Sequence, residues 1–295
     1  MSSVAFIGLG AMGAPMAAHL LAAGHALRVH ARRAEAMAPL IERGAVGCAS
    51  AAEAARGAEF VFVNVTATGD VEQVLFAADG VAAGAAPGTV VIDHSTISAP
   101  ATRGFAARLV AQGVQLLDAP VSGGVKGAQA ASLSIMVGGD DAALARVRPL
   151  LECLGKTITH IGPSGAGQVA KACNQIVQVV NIQGIAEAML FASAQGVDTQ
   201  RVLSALAAGF AGSRMLDLMG PKMVARDFAA GIESRLHQKD YGLIVDMARE
   251  LNLGLPAVAL VAQQLNALAG QGGSRLDTSA LLKVLEAANG RADPA

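Results

Sequence analysis

A single lysine among amide side chains is the most chemically suggestive pattern in the sequence. In the apolar segment after residue 165, a helical repeat of about 3.6 residues places these polar side chains on one face: Gln168, Lys171, Asn174, Gln175, Gln178 and Asn181. A solvated helix face normally carries charges of both signs. The pattern therefore predicts a lined cleft, in which Lys171 protonates a developing alkoxide and Asn174 holds the substrate oxygen or orients the lysine. A purely structural contact of Lys171 is the alternative.

A glycine-rich loop near the N-terminus has the spacing of a dinucleotide site. The strand-like run Val4–Ile7 leads into Gly8-Leu9-Gly10-Ala11-Met12-Gly13, and a helical segment follows. In this context the first glycine permits a tight turn, the second admits a pyrophosphate, and the third packs the helix on the strand. The loop and the helix N-terminus predict cofactor contacts at these positions: Gly8, Gly10, Ala11, Met12 and Gly13. A glycine-rich turn without a ligand is the alternative.

The end of the second predicted strand indicates which dinucleotide binds. A site for NAD usually has an acidic residue here for the ribose 2′-hydroxyl, whereas this chain has Arg32 and Arg33. Arginines suit a 2′-phosphate instead, so the sequence predicts NADP(H) as the preferred cofactor, with Arg32 as its contact. Because Glu35 is close by, NAD(H) stays possible, and two solvated surface arginines remain the alternative.

Two other predicted strand ends carry polar groups. Ser122, Gly123 and Gly124 follow the strand that ends at Asp118, and their amides and hydroxyl suit a small carboxylate substrate. Thr96 follows the strand that ends at Asp93, where a hydroxyl lies near the nicotinamide half of a bound dinucleotide. The neighbouring His94 is more simply explained as a packed residue, and the turn at Ser122 could be an ordinary strand exit.

The order of elements predicts two domains. Up to about residue 163, short apolar strands alternate with helices, which indicates an α/β, Rossmann-like, doubly wound and mostly parallel sheet. After a glycine-rich turn only helical patterns follow, beginning with one long helix over about residues 166–195. We therefore predict a dinucleotide-binding domain at 1–163 and an all-α substrate and oligomerisation domain at 164–295, joined by that long interdomain helix.

Composition excludes several classes of protein. Of 295 residues 53% are hydrophobic and 15% are charged, and the net charge is −1, so disorder and nucleic-acid binding are disfavoured. Three widely spaced cysteines and six histidines without ligand spacing predict no disulfide framework and no metal site. The N-terminus lacks a basic leader, and the longest uncharged stretch contains proline and glutamines. We expect a cytoplasmic protein that binds no membrane.

Together the motifs resemble the β-hydroxyacid dehydrogenase family over nearly the whole chain. They occur in the family's order: the dinucleotide loop, the loop at 118–124, the Gly165-x-Gly167-x-x-x-Lys171-x-x-Asn174 helix, and Lys239-Asp240. The resemblance implies that Lys171 is the catalytic lysine and that Thr96 and Lys239 contact the cofactor. It assigns substrate binding to four residues: Ser122, Gly123, Gly124 and Asn174.

Within the family, residues 209–214, 237–240 and 272–277 are most similar to the tartronate semialdehyde reductases. That resemblance implies reversible reduction of 2-hydroxy-3-oxopropanoate to glycerate by a homodimer or homotetramer. A 3-hydroxyisobutyrate or L-threonate-type dehydrogenase is the alternative substrate class. A non-catalytic dinucleotide-binding module is a remote alternative, because such a module would have no need of Lys171.

Overall fold

A computed structural model of the chain describes residues 1–291 and divides into two compact units, Met1–Lys171 and Ala172–Ala295. The first unit contains a nine-stranded sheet. Its strands are β1 (Ser3–Ile7), β2 (Ala26–His30), β3 (Val46–Gly47), β4 (Phe60–Val63), β5 (Val90–Asp93), β6 (Gln115–Asp118), β7 (Val121–Ser122), β8 (Leu133–Gly138) and β9 (Gly155–Gly162).

The sheet is mostly parallel. Its order is β3-β2-β1-β4-β5-β6-β8-β7, with β9 paired to β8, and the six strands from β3 to β6 run parallel. Only β8 pairs antiparallel with β6 and β7. Helices of this unit are α1 (Gly13–Ala22), α2 (Ala38–Ile41), α3 (Ala51–Ala55), α4 (Thr68–Phe76), α5 (Val81–Gly84), α6 (Ala99–Val110), α7 (Gly124–Gln129) and α8 (Asp141–Glu152).

Both faces of this sheet are buried. Along β1, Val4 and Phe6 belong to one hydrophobic cluster, while Ala5 and Ile7 belong to a second on the opposite face. Alternate side chains of a strand point to opposite faces, so continuous apolar strands require helices on both sides. The predicted Rossmann-like, doubly wound sheet is confirmed.

The described part of the second unit is helical. Its helices are the remainder of α9 (Ala166–Ala194), then α10 (Thr199–Ala207), α11 (Arg214–Ala225), α12 (Ser234–Glu250), α13 (Pro256–Gly270) and α14 (Leu281–Ala288). Their core includes Val179, Ile182, Tyr241 and Leu265, all essentially inaccessible to solvent. The predicted all-α second domain is confirmed.

Local sequence features set the bounds of individual elements. Residues 34–41 form a 3-10 turn followed by α2 rather than one helix, because Pro39 lacks the amide hydrogen that a continuous helix needs. Helix α12 begins at Ser234, so Lys239 lies inside the helix. Very short elements such as β3 and α5 were not predicted, because they are shorter than a hydrophobic period can reveal.

The long helix α9 buries several polar side chains near its start, in addition to the apolar side chains that it contributes to the core. Gln168, Lys171 and Gln175 are buried, whereas Val177 is 67% exposed and Phe191 is 68% exposed. Within residues 1–291, α9 is also the one helix that is long and apolar enough to cross a membrane, by length and composition alone, and core helices of soluble proteins can be equally long and apolar. Its burial of amides fits the predicted lined face.

Candidate active site

The glycine-rich loop has the close backbone approaches that a dinucleotide fingerprint requires. Gly8 has a φ of +95°, and a Cβ there would lie 2.2 Å from the Asn64 carbonyl oxygen. A Cβ on Gly13 would lie 2.0 Å from the Gly8 carbonyl oxygen. Both positions therefore exclude any side chain, as predicted for the turn and for the packing of α1 on the strand.

The start of α1 fits a phosphate group. Met12 occupies the N-cap position, and no side chain there accepts from the first amides. Nothing lies within 4 Å of the position of a Cβ on Gly10, and Gly10 and Ala11 are exposed. The Ala14 amide donates to the Gly10 carbonyl oxygen at 3.0 Å, and no side chain covers this positive end of a ten-residue helix. An uncovered helix N-terminus beside an open glycine suits a pyrophosphate.

Arg32 lies just beyond the end of β2 and its side chain is 84% exposed. Its Nη1 lies 3.6 Å from Oδ1 of Asp70, near the start of α4. The other Asp70 oxygen accepts from the Ala67 amide at 3.1 Å. The sequence indicated the arginine but not this acidic neighbour, because the two are far apart in the chain. A cofactor 2′-phosphate bound to Arg32 would replace the Asp70 carboxylate as the partner of the guanidinium group.

The segment after β5 is tied to the first turn of α9. The Gln168 side chain accepts from the Ile97 amide at 3.1 Å and donates to the Ser95 carbonyl oxygen at 2.8 Å. These two bonds flank Thr96 on both sides. Gln168 is buried, so its amide has no competing water and holds the Thr96 segment at a fixed position against the helix.

Asp118 anchors the same helix from the end of β6. Its two carboxylate oxygens accept from the amides of Gly165, at 2.7 Å, and Gln168, at 2.9 Å. A Cβ on Gly167 would lie 2.5 Å from the Met136 carbonyl oxygen, so this approach requires glycine. Burial raises the pKa of the Asp118 carboxyl, and the amide hydrogen bonds oppose that rise. Asp118 ends β6 directly before the predicted substrate loop, and its carboxylate also caps α9.

Lys171 lies one turn after Gln168 on α9 and is only 8% exposed. A lysine ammonium is strongly hydrated, so its burial in a protein indicates polar partners and usually a function. Because Asp118 and Gln168 fix the start of α9 near the ends of β5 and β6, they also fix the position from which Lys171 projects. Ligands of parallel α/β sheets bind outside these strand ends.

The loop after Asp118 is built for close approach to a ligand. Ser122 ends the short strand β7 and pairs with Ser134 of β8, and it is half-buried. Gly123 and Gly124 have φ values of +135° and +61°, a backbone conformation that side chains rarely adopt. The loop therefore offers a hydroxyl and consecutive glycine amides at the sheet edge, as an anion-binding turn requires.

In the second unit, Asn174 and Lys239 are joined by two residues that sequence reasoning did not select as site residues. The Asn174 Nδ2 lies 2.9 Å from Gln175 Oε1, and the Gln175 Nε2 lies 2.6 Å from Asp240 Oδ2. The Lys239 Nζ lies 2.9 Å from the other Asp240 oxygen. A chain of polar contacts therefore runs from α9 to α12.

His94 is packed inside the first unit. It is 2% exposed, stacks on the Phe62 ring with centroids 5.6 Å apart, and bonds through Nδ1 to the Ala119 carbonyl oxygen at 2.6 Å. Burial lowers its pKa from 6.5 to about 4. The neutral ring is a packing element, in agreement with the simpler of the two sequence interpretations.

His94 gives the fold a predicted sensitivity to acid. In the unfolded chain the imidazole takes up a proton near pH 6.5, but the folded protein resists it until about pH 4. Acidification through this window therefore favours unfolding, by up to about 3 kcal/mol. We expect urea unfolding to show a shallower loss of stability toward low pH in His94→Asn, whose amide can still donate to Ala119. Parallel pH profiles of the two proteins would contradict this.

Comparison with known proteins decides the family. Residues 3–162 match the family model described as the NAD binding domain of 6-phosphogluconate dehydrogenase. Residues 165–285 match the NAD-binding domain of NADP-dependent 3-hydroxyisobutyrate dehydrogenase. A 2-hydroxy-3-oxopropionate reductase of Escherichia coli is 45% identical over 95% of this chain and 96% of its own length. The chain belongs to the 3-hydroxyisobutyrate dehydrogenase-like family of β-hydroxyacid dehydrogenases.

Other members of this family match nearly the whole chain. A Mycobacterium tuberculosis 3-hydroxyisobutyrate dehydrogenase, solved with L-serine, superposes with a TM-score of 0.90 at 36% identity, covering 97% of this chain and 99% of that one. A 3-hydroxyisobutyrate dehydrogenase of Pseudomonas aeruginosa is 38% identical over 96% of this chain and 98% of its own length. This protein is accordingly an NAD(P)-dependent hydroxyacid dehydrogenase.

Within residues 1–291, no group of three or more acidic, His or Cys side chains could hold a metal.

Proposed function

We propose that this dehydrogenase reduces a small 3-oxo acid to a 3-hydroxy acid, and that its substrate is 2-hydroxy-3-oxopropanoate, which becomes glycerate. The observation that carries the reaction is the buried Lys171 on a helix whose start is anchored by Asp118 and Gln168. Similarity to the Escherichia coli reductase supports the choice of substrate. The reaction is reversible, since the same groups serve both directions.

Each group has one task in the reaction. A bound reduced nicotinamide supplies the hydride for the aldehyde carbon. Lys171 donates a proton from Nζ to the carbonyl oxygen, so that the alkoxide never accumulates. Ser122, Gly123 and Gly124 hold the substrate carboxylate through their hydroxyl and amides, and Thr96 and Lys239 position the cofactor. In the oxidative direction Lys171 accepts the proton from the alcohol.

NADPH is the proposed electron donor, because Arg32 follows β2 where an acidic residue would favour NADH. We expect Arg32→Ser to raise the KM for NADPH about tenfold and to change the KM for NADH little, since only NADPH carries the phosphate that the guanidinium pairs with. Steady-state kinetics with both cofactors measure this. Arg56→Ser, which removes another exposed arginine of the same unit, is the control. Equal changes in the KM for NADPH and the KM for NADH would show that Arg32 does not bind the 2′-phosphate.

A second substrate class is favoured by other relatives. The structural similarity to a 3-hydroxyisobutyrate dehydrogenase solved with L-serine supports oxidation of a different 3-hydroxy acid, such as 3-hydroxyisobutyrate or L-threonate. A spectrophotometric panel separates the candidates: NADPH and NADH oxidation with 2-hydroxy-3-oxopropanoate, methylmalonate semialdehyde and succinate semialdehyde in parallel. The highest kcat/KM is expected for the first aldehyde. A higher value for methylmalonate semialdehyde would favour the second class. No oxidation of either cofactor with any of the three aldehydes would contradict the proposed reduction of 2-hydroxy-3-oxopropanoate.

The protein is further proposed to act as a cytoplasmic homodimer or homotetramer that binds neither nucleic acid nor membrane. The exposed apolar side chains of Val177 and Phe191 on α9 support self-association, since such side chains in one stripe favour burial against a partner. The net charge of −1 gives no overall excess of basic residues for binding nucleic acid. Free cysteines fit a reducing compartment.

A further inference from the structure

Four side chains in the second unit form a relay of polar contacts whose donors all point toward Asp240. Asn174 Nδ2 donates to Gln175 Oε1 at 2.9 Å, and Gln175 Nε2 donates to Asp240 Oδ2 at 2.6 Å. The Lys239 ammonium is ion-paired with the other Asp240 oxygen at 2.9 Å. Asp240 is 6% exposed and Gln175 is 4% exposed, so water does not compete for these bonds. The hydrogen bond between Gln175 and Asp240 is therefore shielded from solvent.

The Asp240 carboxylate determines the orientation of the Gln175 and Asn174 side-chain amides. A carboxylate only accepts hydrogen bonds, so Gln175 must turn its NH2 group toward Asp240. The Gln175 oxygen then faces Asn174, which must in turn donate through Nδ2. The Asn174 oxygen is left on the side away from Gln175, as a hydrogen-bond acceptor. An amide orientation is normally ambiguous, but a carboxylate terminus removes the ambiguity here.

The backbone under this relay is also held in place. The Tyr241 hydroxyl, from the residue after Asp240, donates to the Ile176 carbonyl oxygen at 3.2 Å. Tyr241 is 1% exposed, so α12 is fixed against α9 at the point where the relay crosses. His237, one turn earlier on α12, contacts the Thr278 hydroxyl at 2.7 Å. A relay on such rigid elements keeps its geometry when a ligand binds.

We propose that Asp240 and Gln175 are positioning residues that make Asn174 an obligatory acceptor, and that Asn174 thereby selects 3-oxo acids with a hydroxyl on C2. The inference rests on the proposed function and narrows its substrate class. The reacting aldehyde oxygen is itself an acceptor and cannot pair with the Asn174 oxygen. A hydroxyl on C2 of the substrate is a hydrogen-bond donor and can therefore pair with the Asn174 oxygen. A substrate with a methyl group in its place leaves that oxygen unpaired, which costs affinity in a water-poor site.

The test compares two aldehydes in the reductive direction, where the reacting oxygen cannot donate. The measured quantity is the ratio of kcat/KM for 2-hydroxy-3-oxopropanoate to that for methylmalonate semialdehyde, both with saturating NADPH. In Asp240→Asn the terminal group can donate or accept, so the relay loses its direction. We expect the ratio to fall about tenfold. Asp246→Asn removes an exposed, ion-paired carboxylate from the same helix and should leave the ratio unchanged.

A second pair of variants reverses the relay instead of breaking it. Asn174→Asp alone places acceptors at both ends of Gln175, which has one NH2 group for the two, and the ratio is expected to fall. When Asn174→Asp is combined with Asp240→Asn, the amide donor is at position 240 and the carboxylate acceptor is at position 174. Gln175 can then bond to both neighbours in the reversed orientation. A carboxylate at position 174 still presents an acceptor oxygen, so the double variant should recover most of the lost ratio, although not the full rate. A merely structural role of Asp240 predicts no recovery.

Binding without turnover provides an independent readout. Isothermal titration of the NADP⁺-loaded protein with tartronate and with methylmalonate compares a hydroxyl and a methyl group on otherwise similar acids. Wild type should bind tartronate about tenfold more tightly, and Asp240→Asn should bind the two nearly equally. If that variant does not fold, Gln175→Met removes the relay at similar side-chain length and should give the same result.

The outcomes separate this inference from the function on which it rests. Active enzyme whose substrate ratio is the same in wild type and Asp240→Asn would overturn the relay while leaving the dehydrogenase intact. A double variant no better than the worse single variant would overturn it as well. Wild type that oxidises neither NADPH nor NADH with any 3-oxo acid would overturn the proposed function, and the selection of substrate with it.

Discussion

Replacing Lys171 with alanine is expected to lower kcat for reduction of a 3-oxo acid about 10²–10⁴-fold, with the dissociation constant for NADPH nearly unchanged. Lys171 is buried on α9, one turn beyond the Gln168 side chain that holds the segment around Thr96. Without its ammonium, the oxygen of the substrate carries a full negative charge in a site with little water. The loss therefore falls on the chemical step rather than on cofactor binding.

Steady-state kinetics and fluorescence titration with NADPH measure these two quantities. Lys156→Ala is a matched control, because it removes an exposed lysine from β9 of the same unit. It should leave both kcat and NADPH binding at wild-type values. Near-normal turnover by Lys171→Ala would refute the role of the lysine, and a large loss of NADPH affinity would show that it serves the cofactor instead.

Removal of the Asp118 carboxylate is expected to lower the free energy of unfolding by about 3–5 kcal/mol. Its oxygens accept from the Gly165 and Gln168 amides at the start of α9, in a place without solvent access. Asp118→Ala leaves these donors buried and unpaired, and water cannot replace the carboxylate without opening the structure. Urea unfolding followed by circular dichroism measures the effect.

A second N-terminal cap in the same unit calibrates this value. Asp140 accepts from the Ala143 amide at 2.8 Å at the start of α8, but it is exposed. Asp140→Ala should cost only about 1 kcal/mol, because water can take over the freed amide. Equal losses in the two variants would mean that burial of Asp118 contributes nothing to its role as an anchor.

Periodicity and turn chemistry in the sequence were sufficient to predict the architecture. Apolar strands such as β1 are buried on both faces, and this produces the continuous hydrophobic runs from which the parallel sheet was predicted. Gly8 and Gly13 of the dinucleotide loop were predictable because their backbone positions leave no space for a Cβ. Short elements such as α3 were not, because five residues carry too little of a helical period.

Site residues that act through long-range contacts were harder to predict. Asp118, Asp70 and Asp240 are each part of a local motif or helix, and nothing in their neighbouring residues shows which distant amide or cation they bond. Gln175 was predicted to lie on the polar face of α9, yet its use as a link between Asn174 and Asp240 depends on the approach of α12. A sequence pattern shows which side chains share one face of a helix. Which other helix packs against that face is seen only in the folded structure.

Transfer of a label from cofactor to product tests the central claim most directly. The protein is incubated with NADPH that carries deuterium at the transferable position and with 2-hydroxy-3-oxopropanoate, and the product is analysed by mass spectrometry. Glycerate with a single deuterium on C3 is the predicted result, with Lys171→Ala forming it far more slowly. Unlabelled glycerate, or no glycerate while the cofactor stays reduced, would contradict the account.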